Sequence, residues 1–293
     1  MTIRNTKIGV IGLGNMGQPI AEHLAKAGFE VFAYDINVKR TDAYKSLVLC
    51  DSITEVQHHT STFLLSLPDS AAVSEVTLQL SDDDKHDPFI VIDTSTIGPQ
   101  NSATLATSIK QRNGDYLDSP VSGGVRGAKA GSLSVMCAGN QALFNEVLHF
   151  LETFTANQFY IGSEPGQAQV MKVLNNFLSA TALASTSEAI CYGVSQGLDI
   201  AQMCDVINVS TGVNSASRDK FPSQVITGEY NAGFTNSLML KDIELFLEGC
   251  VTSGTTRDVG ETIVNQWRSF AKTEPGADAT RIYEFSKRKV RNQ

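Results

Sequence analysis

Residues 7–35 read KIGVIGLGNMGQPIAEHLAKAGFEVFAYD, and this stretch decides the fold. An apolar run, Lys7 to Ile11, meets a GxGxxG turn at Gly12, Gly14 and Gly17. An amphipathic segment closed by Gly28 follows, then a second apolar run, Glu30 to Tyr34, and then Asp35. Strand, turn, helix and strand in that order make a βαβ unit in which each glycine has its own task. Gly12 permits the tight turn, Gly14 lets a pyrophosphate approach the backbone, and Gly17 lets the helix close on the strand. Leu13, Asn15 and Met16 belong to the same turn and are counted with it as cofactor-binding. The helix N-terminus offers amide donors and the positive end of a dipole, which suits an anion, and Pro19 in its first turn sacrifices no needed hydrogen bond. Asp35 is placed to accept from the adenosine ribose hydroxyls and would repel a 2'-phosphate, which favours NAD. Lys39 and Arg40 lie close by in sequence and keep NADP open.

Outward from this unit, apolar runs continue at Phe63 to Leu67, Phe89 to Ile92, Ser132 to Cys137 and Phe159 to Ile161, separated by amphipathic stretches. Short strands interleaved with helices predict a mostly parallel sheet covered on both faces. After Gly162 the strand signal stops. Val170, Leu174, Phe177, Leu178 and Leu183 then recur near helical period, which predicts one long helix from about Gly166 to Gly193. Turn signals at 211–214, 228–233, 253–255 and 274–276 divide the remainder into further helices. The fold class is therefore α/β: an N-terminal Rossmann dinucleotide-binding domain, residues 1–163, and an all-α C-terminal domain, residues 164–293, that includes the long interdomain helix. Only Gly162, Pro165 and Gly166 break the chain at the junction, so the helix is expected to pack against both halves and line a cleft.

Composition narrows the partners. A chain of 293 residues with 42% hydrophobic and 18% charged residues buries a full core. The net charge of −8 disfavours a nucleic-acid backbone, which needs a basic surface to displace counterions. A basic run at Lys287, Arg288, Lys289 and Arg291 reads as a solvated helix end. No apolar stretch is long enough for a membrane helix. Five scattered cysteines without a CxxC pair indicate reduced thiols, and histidines without HxxxH or HExxH spacing suggest no metal site. The expectation is a soluble, cytoplasmic protein.

Four motifs in order resemble the β-hydroxyacid dehydrogenase family, relatives of 3-hydroxyisobutyrate dehydrogenase and of the tartronate and glyoxylate/succinic semialdehyde reductases. They are GLGNMGQPIAEHLAKAG (residues 12–28), DSPVSGGVRGAKAGSL (118–133), GQAQVMKVLNN (166–176) and KDIELFLE (241–248). The resemblance implies hydride transfer between NAD(P) and a small 3-hydroxy acid or semialdehyde, a homodimer or homotetramer, and an active site between the domains.

On the predicted helix Lys172, Asn175 and Asn176 stand at i, i+3 and i+4 and share a face. Oxidising a hydroxy acid needs a base for the hydroxyl proton as hydride leaves the same carbon, and a lysine whose pKa falls toward neutrality serves. The resemblance makes Lys172 that acid/base and Asn176 the group that orients substrate. It places the substrate carboxylate at Ser122, Gly123 and Gly124, and Leu67 and Pro68 beside the adenosine. Thr96 falls at the nicotinamide ribose or substrate, Lys241 and Asp242 at the nicotinamide side, Phe234 over substrate, and Asp278 near the cofactor. Thr211 and Asn214 would face the distal end of the substrate and make it polar, favouring a serine-like, glycerate-like or threonate-like acid over a methyl-bearing one. The family usually carries a second glycine where this chain has Ala168. Two other readings stay open: an imine reductase on the same architecture, whose members usually replace the lysine, and a non-catalytic dinucleotide-binding scaffold.

Overall fold

The computed structural model describes residues 6–38, 45–80 and 87–291, with side chains to 288. Lys39 and Arg40 lie outside the described residues. Two compact units are present, residues 1–172 and 173–293.

In the first unit, β1 (Lys7–Ile11) pairs in parallel with β2 (Glu30–Tyr34) on one side and with β4 (Thr62–Leu65) on the other. The sheet is completed by β3 (Val48–Leu49), β5 (Phe89–Asp93), β6 (Gly114–Asp118), β7 (Val121–Ser122), β8 (Leu133–Ala138) and β9 (Thr155–Gly162). Its order is β3-β2-β1-β4-β5-β6-β8-β7, with β9 beside β8. Pairing is parallel from β3 to β6, antiparallel where β8 meets β6 and β7, and parallel again between β8 and β9. The chain runs outward from β1 through β2 and β3 on one side and then crosses to β4 on the other, so the glycine turn sits at the topological switch point, where open α/β sheets bind ligands.

Side chains of β1 alternate between two cores. Ile8 and Val10 pack with α1 (Gly17–Lys26) and α6 (Gln141–Leu151) through Ile20, Leu24, Val147 and Phe150. Ile11 faces α2 (Ile53–Gln57), α3 (Ser70–Leu80) and α4 (Pro99–Gln111) through Ile53, Val73 and Leu105. A Cβ at Gly9 would lie 2.6 Å from Val56 Cγ1, so the glycine inside the strand lets α2 close on it. Phe63, Phe150 and Phe154 are enclosed, each worth roughly 1.5–3 kcal/mol relative to exposure. A short helix, α5 (Gly124–Ala130), joins β7 to β8.

Three strands escape the apolar-run reading. β3 and β7 have two residues each, and β6, GDYLD, carries one leucine and one tyrosine among glycine and aspartates. Its place between β5 and β8 is fixed by the ladder, not by β-propensity.

The long helix α7 (Gln167–Ser195) carries the boundary between units between Lys172 and Val173, nine residues beyond the expected domain end at 163. The second unit continues with α8 (Ile200–Asn208), a π-helical segment Ala216–Val225, α9 (Asn236–Ser253), α10 (Asp258–Thr273), a 3₁₀ turn Ala279–Arg281 and α11 (Ile282–Arg291). Among the described residues no strand follows β9, so this part is helical as expected. Asp199 and Thr235 cap α8 and α9 by accepting from Gln202 N and Leu238 N. Buried Trp267 donates to Ala180 O on α7, with Phe221, Ile243 and Phe270 in the same core. At the basic C-terminus Arg288 pairs with Glu274 and Lys287 with Glu284, which matches a solvated helix end.

Candidate active site

In the first unit the carboxyl ends of four adjacent parallel strands form one row. Ile11 is in register with Leu65, Leu65 with Asp93, and Asp93 with Asp118. The residues just beyond continue it: Ser66 N donates to Ile11 O, Thr94 N to Leu65 O and Ser119 N to Asp93 O, at 2.8–3.0 Å. The glycine turn, Leu67 and Pro68, Thr96, and the 119–124 turn all follow strands of this row.

The three glycines of the turn differ in what demands them. Gly12 has φ +96°, and a Cβ there would strike Ser66 O; a Cβ on Gly17 would strike Gly12 O. Both are required by the protein's own packing. A Cβ on Gly14 would meet nothing within 4 Å. Its missing side chain therefore leaves open space over the turn, as a pyrophosphate approaching the backbone requires. No side chain caps α1 and no acidic residue lies in its first turn, so its N-terminus suits an anion. The turn thus fits the phosphates of a dinucleotide. Leu13 and Met16 turn their side chains to the core while Asn15 is exposed.

Asp35 follows β2 and has a second task. Its Oδ2 accepts from Leu13 N and its Oδ1 from Asn37 N, both at 2.7 Å, so it ties the glycine turn to the second strand. A carboxylate has about four acceptor sites, which leaves capacity for ribose hydroxyls.

Leu67 N donates to Ser95 Oγ, and Leu67 Cδ2 lies beside Gly12. Thr96 is half-buried and Pro68 exposed. Ser122 is half-buried in β7, and Gly123 (φ +127°) and Gly124 (φ +62°) take left-handed backbone; a Cβ on Gly124 would meet nothing within 4 Å. Gly166 (φ +98°) lies where a Cβ would be 2.6 Å from Pro99 O. Ala168 is buried in the first turn of α7 against Met136, Ala138 and Met171. Lys172 follows one turn later, half-buried.

In the second unit Asn176 Nδ2 donates to Asp242 Oδ2 at 2.6 Å, Asn175 Nδ2 donates to Asn176 Oδ1 at 3.3 Å, and Lys241 Nζ stands 3.2 Å from Asp242 Oδ1. The motif residues of α7 and α9 thus meet. Asp242 is buried, and a carboxylate there is tolerated because an ammonium and an amide face it. Phe234 packs against the core of this unit. Asp278 accepts from Gly233 N and Thr280 N and so shapes the turn that carries Phe234. Asn214 is engaged within the unit: its Oδ1 accepts from Ala216 N and Ser217 N, and its Nδ2 donates to Thr186 Oγ1 and Gly212 O. Thr211 is exposed.

The sequence reading passed over Gln169 and the role of Asp118. Gln169 has no exposed surface, and its amide makes four bonds in the first unit: Oε1 accepts from Ile97 N and Gly98 N, and Nε2 donates to Ser95 O and Asp118 Oδ1. Asp118 Oδ2 accepts from Gly166 N and Gln169 N. Burial pushes the Asp118 carboxyl up to about 7, the Asp93 charge adds to this, and the bonds from Gln169 and Gly166 oppose it. Buried Tyr116 donates to Asp93 Oδ2, and burial with two nearby carboxylates raises its pKa.

All five cysteines are buried and unbridged, and burial pushes Cys137 up to about 12. Where no metal was expected, Cys50, Glu55 and His59 bring ligand atoms within 4.8 Å of one another. Glu55 there accepts from Asp51 N and the His59 ring stacks on Phe32. Among the described residues no helix is long and apolar enough to cross a membrane.

The switch-point turn, its open glycine and the aspartate after β2 fit a dinucleotide-binding site. Residues 7–162 match the family model described as the NAD binding domain of 6-phosphogluconate dehydrogenase, and residues 166–286 match that described as NAD-binding of NADP-dependent 3-hydroxyisobutyrate dehydrogenase. The chain is 31% identical to 2-(hydroxymethyl)glutarate dehydrogenase of Eubacterium barkeri, over 84% of this chain and 82% of that one. It is 30% identical to an NAD-dependent L-serine dehydrogenase of Pseudomonas aeruginosa, over 91% and 92%. A solved structure of Mycobacterium tuberculosis 3-hydroxyisobutyrate dehydrogenase with L-serine superposes at TM-score 0.85 and 25% identity, covering 96% of this chain and 98% of that one. The chain belongs to the β-hydroxyacid dehydrogenase family, NAD(P)-dependent enzymes that act on the CH–OH group of small hydroxy acids.

Proposed function

We propose that this enzyme interconverts a small 3-hydroxy acid and its semialdehyde or keto acid, with Lys172 as general acid/base and NAD as the preferred cofactor. The observation that carries the reading is the bonded set Asn176, Asp242 and Lys241. Asp242 holds the Asn176 amide by its Nδ2 and so fixes the orientation of the asparagine that positions substrate. The cofactor supplies the hydride acceptor or donor. Lys172 takes the hydroxyl proton on oxidation and returns it on reduction. Ser122 and the amides of Gly123 and Gly124 hold the carboxylate, Asn175 stands beside Asn176, and Phe234 closes over substrate. Leu67, Pro68 and Thr96 flank the cofactor, and Lys241 approaches the nicotinamide.

Thr211, on a turn that Asn214 braces, gives the distal end of the substrate a polar neighbour, which supports a serine-like, glycerate-like or threonate-like acid. The relative named as an L-serine dehydrogenase and the 3-hydroxyisobutyrate dehydrogenase solved with L-serine support the same reading. Asp35 supports NAD over NADP. Exposed Tyr192, Leu198, Val206 and Val209 in the second unit support a homodimer or homotetramer, and the free thiols support a cytoplasmic setting.

The test is a panel of 3-hydroxy acids, semialdehydes and cyclic imines assayed with NAD and NADP separately, alongside Lys172→Ala. The variant is expected to lose about 10²- to 10⁴-fold in kcat while keeping cofactor affinity. Turnover of hydroxy acids that ignores Lys172 overturns its role. Turnover of imines alone favours the reductase reading, and binding without turnover favours a scaffold.

A further inference from the structure

Three segments that carry candidate site residues meet at one buried side chain. Residues 94–98 after β5 hold Thr96, Asp118 ends the strand that leads to the Ser122 turn, and Gly166 to Gln169 begin the helix that bears Lys172. We infer that Gln169, oriented by Asp118, is a positioning residue for the dehydrogenase reaction, an amide clamp that fixes the Thr96 loop and the first turn of α7 relative to the sheet.

Hydrogen-bond polarity carries the inference. Asp118 faces three donors: Gly166 N at 3.0 Å, Gln169 N at 3.2 Å and Gln169 Nε2 at 2.7 Å. Its Oδ1 accepts from the Gln169 NH₂ and so turns that group inward. The amide oxygen is then left to Ile97 N at 3.0 Å and Gly98 N at 3.2 Å, and the second amide proton goes to Ser95 O at 3.0 Å. A flipped amide would set its NH₂ against two N–H donors and its oxygen against both Asp118 and Ser95 O. One orientation satisfies every group and the other satisfies none. In a fully buried site such a mismatch is expensive, because no water replaces the lost partners.

Lys172 lies one turn beyond Gln169 on the same helix, so a shift of that first turn carries the lysine with it. Displacements of about 1 Å at a reacting group lower rates by about 10²-fold. The clamp touches neither substrate nor cofactor, and it acts through the backbone it holds.

The inference rests on the reading of Lys172 as acid/base, and its test separates the two. Asp118→Asn sets an NH₂ against the Gln169 NH₂, and Gln169→Glu sets two carboxylates together. The double variant Asp118→Asn/Gln169→Glu restores donor facing acceptor everywhere except at Ser95 O. Each single variant is expected to lose at least about 10-fold in kcat at saturating substrate, with little change in NAD affinity, and the double variant to recover most of that loss. Hydrogen exchange at the Ile97 and Gly98 amides should quicken in the single variants and slow again in the double one. Single variants within twofold of wild type in kcat, or a double variant no better than the worse single, overturn the clamp. Absence of turnover in the wild-type protein would instead sink the dehydrogenase reading, and unchanged amide exchange in the single variants would then overturn the clamp by itself.

Discussion

Two of the buried carboxylates, Asp118 in the first unit and Asp242 in the second, are compensated in different ways. Asp118 in the first unit is held by backbone N–H groups and the neutral Gln169 amide, and among the described residues no cation pairs with it. Asp242 in the second is held by side chains, the ammonium of Lys241 and the amide of Asn176. Asp35 belongs with Asp118, since its described partners are the backbone amides of Leu13 and Asn37. Backbone donors come from any residue type, so carboxylates of the first kind fix chain path and leave little trace in sequence. Carboxylates of the second kind require particular partners, and those partners appear as motifs.

The widest break in this contrast comes from the turn that supplies Asp35 with its amide. Gly17→Ala would drive a Cβ into the Gly12 carbonyl and displace Leu13 N, at a cost of about 1–3 kcal/mol of overpacking and with loss of cofactor binding. Gly14→Ala meets no protein atom, so it should leave urea-unfolding stability within about 0.5 kcal/mol while weakening NAD binding in titration. Equal stability losses in the two variants would contradict the division of labour among the glycines.

Removing the side-chain-held carboxylate comes next. Asp242→Ala leaves the Asn176 amide and Lys241 without it and should cost about 1.5–3 kcal/mol. Its kcat should fall more than its KM for cofactor rises, and Asp242→Asn should restore part of the stability. Asp35→Ala should act chiefly on the cofactor, raising KM for NAD and narrowing the preference for NAD over NADP in paired kinetics. An unchanged NAD preference would refute the acidic-ribose argument.

The smallest effect is a pH dependence of stability. Asp118 keeps its proton to about 7 in the folded protein, against about 3.8 for an ordinary aspartate. Between those values the native state binds more protons than the unfolded one, so this group makes stability fall as pH rises. The contribution is full below about pH 4 and gone above about 7. Urea midpoints measured at pH 5 and pH 8 should fall more in the wild type than in Asp118→Asn, and identical slopes would show that Asp118 titrates normally.

Legibility follows the same physical division. Lys172, Asn176, Lys241 and Asp242 stood out because a charged group and amides recur at helical spacing in named motifs. Gln169 sits inside one of those motifs and was passed over, since a glutamine in the first turn of a helix reads as ordinary surface. Its burial depends on strands β5 and β6 arriving from residues more than 50 positions away. β6 was missed for a related reason, its aspartates and glycine having no β-propensity of their own. Asn214 was read as facing the distal end of the substrate, and its amide in the fold is bonded to Gly212, Ala216 and Ser217 in its own turn region and to Thr186 on α7.

By itself the sequence determined the βαβ opening, the passage from strands to helices after Gly162, the family and the chemistry that Lys172 and Asn176 could perform, because periodicity, glycine placement and motif spacing are local properties of the chain. Only the tertiary structure decided which acidic groups are buried, which glycine serves something other than the protein, and that one glutamine ties the Thr96 loop to the start of α7. Burial and hydrogen-bond polarity are relations between distant segments, and they exist only once the sheet has brought those segments together.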